Sequence, residues 1–262
     1  MTKCNTQIYT PEEFFYIPSG DYELATFISQ PDNPEYAPIV MFCHGYMGSK
    51  SEKNRHFFRL AQKLTQLGFI TVRFDFAGCG DSIAPTTAFS IRQGVKDICA
   101  VQQFLDDNAI GNLEKFGMVG YSLGSLVVAR AIKKLPFVSA ICLMAGVEHA
   151  ILSPEEQVAL ESSNGDTVWN RGVELSLDFV RDFAVSRGAP FIAETKVPVQ
   201  LIYASADETV QRDHYEEYKK VLNPASPEPV LIEGADHFFS GQGHQEQIDD
   251  VLIGFMSVIR GI

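Results

Sequence analysis

The stretch that decides the fold is residues 116–132, which read FGMVGYSLGSLVVARAI. It opens with an apolar run typical of a buried strand, passes through Gly120-Tyr121-Ser122-Leu123-Gly124, and ends in an apolar, helix-like run at residues 126–132. In a G-x-S-x-G pattern between a strand and a helix, a tight, strained turn lifts the serine hydroxyl clear of the backbone. Glycines flank the serine because strand and helix approach too closely there for a Cβ. The sequence therefore predicts a nucleophile elbow at Ser122.

Short, mainly apolar runs recur on both sides of this stretch. They lie at residues 39–43, 70–74, 140–144, 199–203 and 230–232. Runs without polar alternation indicate strands that are covered on both faces, which is the pattern of a parallel sheet. Helical periodicity separates them, for example at residues 57–64 and 248–259. The alternation predicts an α/β fold with a mostly parallel, doubly wound sheet and helices on both faces.

Two segments depart from this alternation. Residues 13–17 and 22–29, joined by PSGD, predict an antiparallel hairpin at one edge of the sheet. Residues 146–196 carry helical patterns at 154–161 and 172–183, a turn at 164–166, and no strong strand signal. We expect one domain over residues 1–262, with residues 146–196 inserted between core strands as a short helical lid. A plain helical crossover with a long connecting loop is the alternative.

Composition narrows the class of protein. The chain has 262 residues, 45% of them apolar, and 33 acidic against 21 basic side chains give a net charge of −12. Nucleic-acid binding is excluded because it needs a basic footprint, and no apolar run has the length of a membrane span. The N-terminus lacks a secretory signal pattern. The cysteines show no C-x-x-C spacing, which indicates buried thiols in a reducing compartment and predicts a cytoplasmic protein; they are Cys4, Cys43, Cys79, Cys99 and Cys142.

A serine nucleophile needs a histidine base and an acid that orients the histidine. His237 follows the run at 230–232 through a flexible loop and comes last in chain order, so it is the predicted base, with His244 as the weaker alternative. Asp207 directly follows the run at 199–203 and is the predicted acid. Its neighbour Glu208 is one alternative. Glu148, which follows the run at 140–144, is the other.

The sequence HGYMG at residues 44–48 ends the first core strand. We predict that the backbone N–H groups of Tyr46 and Leu123 are the donors of an oxyanion hole. His44 is interpreted as a brace of its own turn rather than a proton-transfer group. Asp75 is interpreted as a residue that pins the loop at residues 73–82 by hydrogen bonds of its side chain.

Together, the motifs at residues 44–48, 73–82, 120–124, 207–210 and 234–237 resemble those of the α/β hydrolases. The segments LIEGADHFFS (residues 231–240) and 173–180 are similar to the cinnamoyl/feruloyl esterase branch of bacterial carboxylesterases. The resemblance implies a serine carboxylesterase acting on small to medium esters, aromatic acyl esters included. A small-molecule ester is the expected partner, and no metal or organic cofactor is expected. Trp169 and Phe238 are the candidate substrate-binding residues, and a homodimer is left open.

The same motifs serve related chemistry. The alternatives within hydrolysis are an acyl thioesterase, a monoacylglycerol lipase, and a small serine aminopeptidase whose acidic ammonium-binding residue would be Glu148 or Asp166. Outside hydrolysis, the alternative is a cofactor-free haloperoxidase-like enzyme, which uses the same triad of serine, histidine and acid. A binding module with an inactive site is the alternative that is not an enzyme.

Overall fold

The computed structural model describes residues 9–162 and 165–260. The strands are β1 (Glu12–Ser19), β2 (Tyr22–Ser29), β3 (Pro38–Cys43), β4 (Ile70–Phe74), β5 (Asn112–Tyr121), β6 (Val138–Met144), β7 (Thr167–Asn170), β8 (Val173–Ser176), β9 (Val199–Ala204) and β10 (Val230–Ile232). Within the described ranges, one eight-stranded sheet has the order β1-β2-β4-β3-β5-β6-β9-β10. The strands from β4 to β10 in this order run parallel, whereas β1 pairs with β2 and β2 with β4 in antiparallel fashion. The predicted parallel sheet with an antiparallel hairpin at its edge is confirmed.

Helices cover both faces of this sheet. They are α1 (His56–Gln66), α2 (Ile91–Asp107), α3 (Leu123–Ala131), α4 (Pro154–Ser162), α5 (Leu177–Ala184), α6 (Ala189–Ala193), α7 (Arg212–Lys220) and α8 (His244–Arg260). Leu60 of α1 and Leu252 of α8 belong to the core on one face, and Ile98 of α2 and Leu126 of α3 to the core on the other. Every residue of β3 and β4 is buried, which explains the unbroken apolar run of β3; β4 also buries the polar side chains of Thr71 and Arg73.

The segment between β6 and β9 differs from the expectation. It contains α4, α5 and α6, but also an antiparallel hairpin of β7 and β8 that the sequence analysis did not predict. Residues 173–176, expected to be helical, form β8, and the helix begins only at Leu177, where the Ser176 side chain accepts a hydrogen bond from the Asp178 N–H. Asn164 of the predicted turn lies outside the described residues. That residues 146–196 act as a lid on a single domain stays a prediction.

The described cysteines are unpaired. Cys43, Cys79 and Cys142 are buried and Cys99 is half-buried, while Cys4 lies outside the described residues. Burial raises the pKa of the three buried thiols, which keeps them protonated. No helix in the described ranges combines the length and hydropathy needed to cross a membrane.

Candidate active site

Ser122 sits on the turn between β5 and α3. Its backbone has φ 50° and ψ −121°, a conformation that L-residues adopt only under constraint. Three hydrogen bonds hold it: Ser122 N–H donates to Met144 O at 2.9 Å, and Ser122 O accepts from Ser125 N–H and Val147 N–H, each at 3.0 Å. The turn is therefore a strained elbow whose serine lies at the N-terminus of a helix, where unpaired N–H groups favour negative charge.

The two glycines of the motif allow the close approach that this turn requires. A Cβ on Gly124 would lie 2.2 Å from Cys43 O and 2.4 Å from His44 O. A Cβ on Gly120 would lie 2.7 Å from Ser125 Cα. Both glycines thus face main-chain atoms, which cannot rotate away as a flexible side chain could.

Gly124→Ala is therefore expected to lower the free energy of unfolding by about 3 kcal/mol or more, because β3 and α3 would have to separate. Gly254→Ala is the matched control. A Cβ there meets no atom within 4 Å in α8, and the added helix propensity should stabilise the protein by about 1 kcal/mol. Urea unfolding of both variants measures the difference. If Gly124→Ala unfolded at the wild-type midpoint, the tight contact between the elbow and β3 would be refuted.

Three side chains that the sequence analysis singled out meet at this elbow. His237 Nε2 lies 3.1 Å from Ser122 Oγ, and His237 Nδ1 lies 2.7 Å from Asp207 Oδ2. Ser122 and His237 are 8% and 6% exposed, so their contact is shielded from bulk water. With the Asp207 carboxylate accepting from Nδ1–H, the lone pair of Nε2 faces the serine hydroxyl. The arrangement can accept the serine proton when Oγ attacks an electrophile.

The loops after β9 and β10 hold the acid and the histidine in place. Asp207 Oδ1 accepts hydrogen bonds from the N–H groups of Thr209 and Val210, both at 2.8 Å, which leaves Oδ2 for the imidazole. Tyr121, the residue before the nucleophile, donates its hydroxyl to His237 O at 2.7 Å. Both partners of Ser122 are thus fixed by hydrogen bonds beyond the triad itself.

The two alternative acids lie elsewhere. Glu148 is fully buried, and both its oxygens accept from Arg187 Nε at 2.8 Å. Burial acts to raise the pKa of Glu148, but the hydrogen bonds from Arg187 and from Ala189 N–H outweigh it and hold that pKa below its ordinary value. Glu208 is exposed, and His237 Nδ1 contacts neither carboxylate.

Tyr46 and Leu123, whose N–H groups are the predicted oxyanion donors, line the same cavity as Ser122. Leu123 N–H is the first of α3, and within the described part of the chain neither it nor Tyr46 N–H donates a hydrogen bond. Gly45 O accepts from Gly48 N–H at 3.1 Å and contacts His44 Nδ1 at 2.8 Å. Since the N–H and C=O of a trans peptide point in opposite directions, these contacts direct Tyr46 N–H away from the loop interior.

His44 and Asp75 have the contacts of loop-bracing residues. His44 Nε2 accepts from Phe76 N–H at 3.0 Å, and burial, opposed by nearby carboxylates, lowers the pKa of His44. The fully buried Asp75 accepts from Lys50 Nζ at 2.6 Å and from Asp81 N–H at 2.7 Å. Neither side chain contacts Ser122 or His237, which agrees with the interpretation of both residues as supports of their loops.

A cavity of about 260 Å³ opens beside Ser122 and Leu123. Its apolar wall comes from the loop after β6, from the insertion and from the Asp207 loop, through Val147, Ile151, Leu152, Pro154, Phe183 and Val210. Its polar wall consists of Tyr46, Ser153, Glu156, Asn170, Arg171 and Thr209. An apolar space with a few polar groups next to a nucleophile is typical of a substrate site.

Trp169 and Phe238, the candidate substrate residues, do not line this cavity. In the hairpin, Val168 and Asn170 point inward, so Trp169 between them points outward and is 64% exposed. Phe238 stacks edge-on against His237, and Lys53 Nζ lies 3.7 Å from its ring centroid. Trp169 does not line the cavity because side chains alternate between the two faces of strand β7 and Trp169 lies on the outer face.

Glu156, which was not among the residues predicted from the sequence, is only 2% exposed and lines the cavity. Its Oε1 accepts from Tyr46 Oη–H at 3.3 Å and from Asn170 Nδ2 at 3.0 Å. Its Oε2 accepts from Ser153 N–H at 2.8 Å, and Glu156 N–H bonds Ser153 Oγ, which together form a capping box for α4. The S-x-x-E pattern at residues 153–156 could have predicted where α4 begins. It could not have predicted that Oε1 of Glu156, which takes no part in the capping box, contacts Tyr46 and Asn170 at the cavity.

One group of potential metal ligands occurs among the described residues. Ligand atoms of His149, Asp213 and His214 lie within 4.8 Å of one another. However, the two imidazoles stack face to face, with centroids 3.9 Å apart and planes inclined by 15°. Imidazole lone pairs lie in the ring plane, so two stacked rings cannot both direct them at one ion. In addition, His214 Nδ1 accepts from Glu148 N–H at 3.1 Å.

Comparison with known proteins agrees with this architecture. The family model for the alpha/beta hydrolase fold matches residues 38–167. An abhydrolase domain-containing protein of Dictyostelium discoideum is 31% identical over 115 residues, which cover 42% of this chain and only 28% of that relative. The chain therefore spans little more than a quarter of that curated relative.

Solved structures match nearly the whole chain. Est1E from Butyrivibrio proteoclasticus with bound ferulic acid is 21% identical, with a TM-score of 0.80 over 95% of this chain and 100% of that one. The alpha/beta hydrolase GrgF from Penicillium sp. sh18 is 14% identical, with a TM-score of 0.82 over 96% of this chain and 100% of that one. By strand order and by similarity to these structures, the chain has the α/β-hydrolase fold.

Proposed function

We propose that the chain is a serine carboxylesterase that hydrolyses small to medium carboxylic esters through an acyl-enzyme. The observation that carries this proposal is the continuous contact from Ser122 Oγ through His237 to Asp207, beside an apolar cavity. A serine linked in this way to a buried histidine and an acid is the arrangement that activates a hydroxyl for attack on a carbonyl.

In the proposed reaction, Ser122 Oγ bonds to the ester carbonyl carbon while its proton passes to His237 Nε2. The carbonyl oxygen becomes an oxyanion that accepts hydrogen bonds from Tyr46 N–H and Leu123 N–H. The C–O bond to the alcohol breaks, and His237 returns the proton to the departing oxygen. Water then attacks the acyl-enzyme, loses a proton to His237, and releases the acid as Ser122 regains its hydrogen. Asp207 stabilises the imidazolium in both halves.

The cavity supports an acyl group of modest size. Its volume of about 260 Å³ lies near the lower end of ligand pockets. The cluster of Tyr46 Oη, Glu156 Oε1 and Asn170 Nδ2 offers hydrogen bonds to a polar substituent on an otherwise apolar acyl group. Ferulic acid, the ligand in the Est1E structure, is an aromatic acid with a hydroxyl. Hydroxylated aromatic acyl esters are therefore the substrate class that we favour.

A substrate panel tests the proposal. We expect kcat/KM for hydroxycinnamoyl esters to exceed that for alkyl esters of equal length by about 10-fold or more, since a polar group left unpaired in the site costs binding energy. The panel should include acyl-CoA thioesters, monoacylglycerols and aminoacyl amides, and an assay for halide and peroxide dependence. A higher kcat/KM for acyl-CoA thioesters or aminoacyl amides than for every carboxylic ester, or activity that requires halide and peroxide, would refute the carboxylesterase assignment. A higher kcat/KM for monoacylglycerols than for the hydroxycinnamoyl esters would refute the favoured substrate class.

Glu148, one of the two groups considered for an aminopeptidase, is paired with Arg187, and Asp166 is exposed; neither lines the cavity. These two residues therefore do not favour an aminopeptidase over an esterase, and Glu156, the acidic side chain that does line the cavity, already accepts hydrogen bonds from Tyr46, Asn170 and Ser153. The cytoplasmic location and the homodimer stay predictions.

A further inference from the structure

The loop that carries Tyr46 is held by an acidic side chain from outside its motif. Glu52 Oε1 accepts a hydrogen bond from Gly45 N–H at 2.6 Å. The next peptide group along the chain, between Gly45 and Tyr46, carries the N–H that we assign to the oxyanion hole. Glu52 and the contacts at Gly45 O thus fix the chain on both sides of Gly45.

Glu52 is itself held in an unusual conformation. Its φ is 55° with ψ 169°, a region in which a residue with a side chain is strained. Glu52 N–H donates to Ser49 O at 2.9 Å, Glu52 O accepts from Arg55 N–H at 3.1 Å, and Oε2 accepts from Lys53 N–H at 3.2 Å. These bonds aim the carboxylate into the loop. Strain of this kind persists only where the surroundings over-determine the geometry, and it clusters at functional sites.

The carboxylate lies close to the nucleophile. A Cβ on Gly45 would be 3.1 Å from Ser122 Cβ and 3.5 Å from Glu52 Oε1, so only Gly45 separates the two side chains. A Cβ on Gly48 would lie 2.9 Å from Glu52 Oε1. The glycines of the HGYMG segment therefore make room for Glu52 as well as for Ser122.

We infer that Glu52 is a positioning residue of the oxyanion hole: its Oε1 accepts Gly45 N–H and thereby keeps Tyr46 N–H directed at the developing oxyanion. The inference rests on the proposed function. A negative charge this near an oxyanion opposes its formation, so the useful property of Glu52 is the hydrogen-bond acceptor and not the charge. Glutamine supplies an acceptor of the same reach without the charge, whereas alanine supplies none.

Kinetics of Glu52→Ala and Glu52→Gln on a nitrophenyl ester test this inference, with the exposed Glu233→Ala as the control. We expect Glu52→Ala to lower kcat by about 10- to 100-fold with KM changed by less than about threefold, because a misplaced donor affects only the transition state. A boronic acid, which mimics the tetrahedral adduct, should bind Glu52→Ala more weakly by a similar factor. Glu52→Gln should stay within about threefold of the wild type.

Thermal melting separates positioning from folding, since kcat is compared at temperatures where each variant is folded. If Glu52→Ala kept the wild-type kcat, or if Glu52→Gln lost as much activity as Glu52→Ala, the positioning role would be refuted. A wild-type protein that neither hydrolyses esters nor reacts with a fluorophosphonate would instead refute the proposed function. The two failures are therefore distinguishable.

Discussion

Ser122→Ala is expected to lower kcat for ester hydrolysis by about 10⁴- to 10⁶-fold and to abolish covalent labelling by a fluorophosphonate. The reason is that Ser122 Oγ is the atom within hydrogen-bond distance of the imidazole, at 3.1 Å from His237 Nε2. Alanine keeps the strained elbow but removes the atom that would form the acyl-enzyme. The binding of a product acid should change little, because the cavity wall remains intact.

Ser125→Ala is the matched control. Ser125 is buried three residues further along, but its hydroxyl donates to Gly120 O at 2.9 Å and not to His237. This variant should still be labelled, with a modest loss of stability because a buried carbonyl loses a partner. Mass spectrometry of the labelled peptide locates the adduct. An adduct on any residue other than Ser122, or rapid hydrolysis by Ser122→Ala, would contradict the assignment.

The sheet and the meeting of Ser122, Asp207 and His237 could be predicted for a common reason. Strands buried on both faces need mainly apolar runs, and each of the three residues follows such a run by a few positions. Because carboxyl ends of parallel strands lie at one edge of the sheet, residues in the loops after them are brought together whatever the sequence between them. The apolar runs in the sequence were therefore sufficient to predict that these three distant residues lie close together.

The insertion and the support of the site could not be predicted in the same way. Strands β7 and β8 have four residues each, too short for alternation to be told from a helical period. Glu156 has the sequence signature of a capping box, and only the packing of α4 against Tyr46 turns its second oxygen to the cavity. Glu52 acts from a positive-φ conformation for which a glutamate gives no sequence signal.

Asp207→Asn is expected to lower kcat by about 10³- to 10⁴-fold while the fold is retained. The amide oxygen of the new side chain can still accept from the N–H groups of Thr209 and Val210, so its NH₂ group must face His237 Nδ1. That ring nitrogen then has to accept a hydrogen bond, which moves the imidazole proton to Nε2. A protonated Nε2 cannot take the proton of Ser122, so the base is lost although every distance is nearly unchanged.

Glu208→Gln and Glu148→Gln are the controls that distinguish the acids. Glu208 is exposed, and we expect its variant to retain kcat within about threefold. Glu148→Gln removes the charge opposite the half-exposed Arg187, so it should destabilise the protein by about 1–3 kcal/mol without changing kcat of the folded enzyme. Steady-state kinetics and urea unfolding of the three variants separate these effects. If Asp207→Asn kept wild-type kcat while Glu148→Gln lost it, the acid would be the one after β6, and the contact between Asp207 and His237 would have a purely structural role.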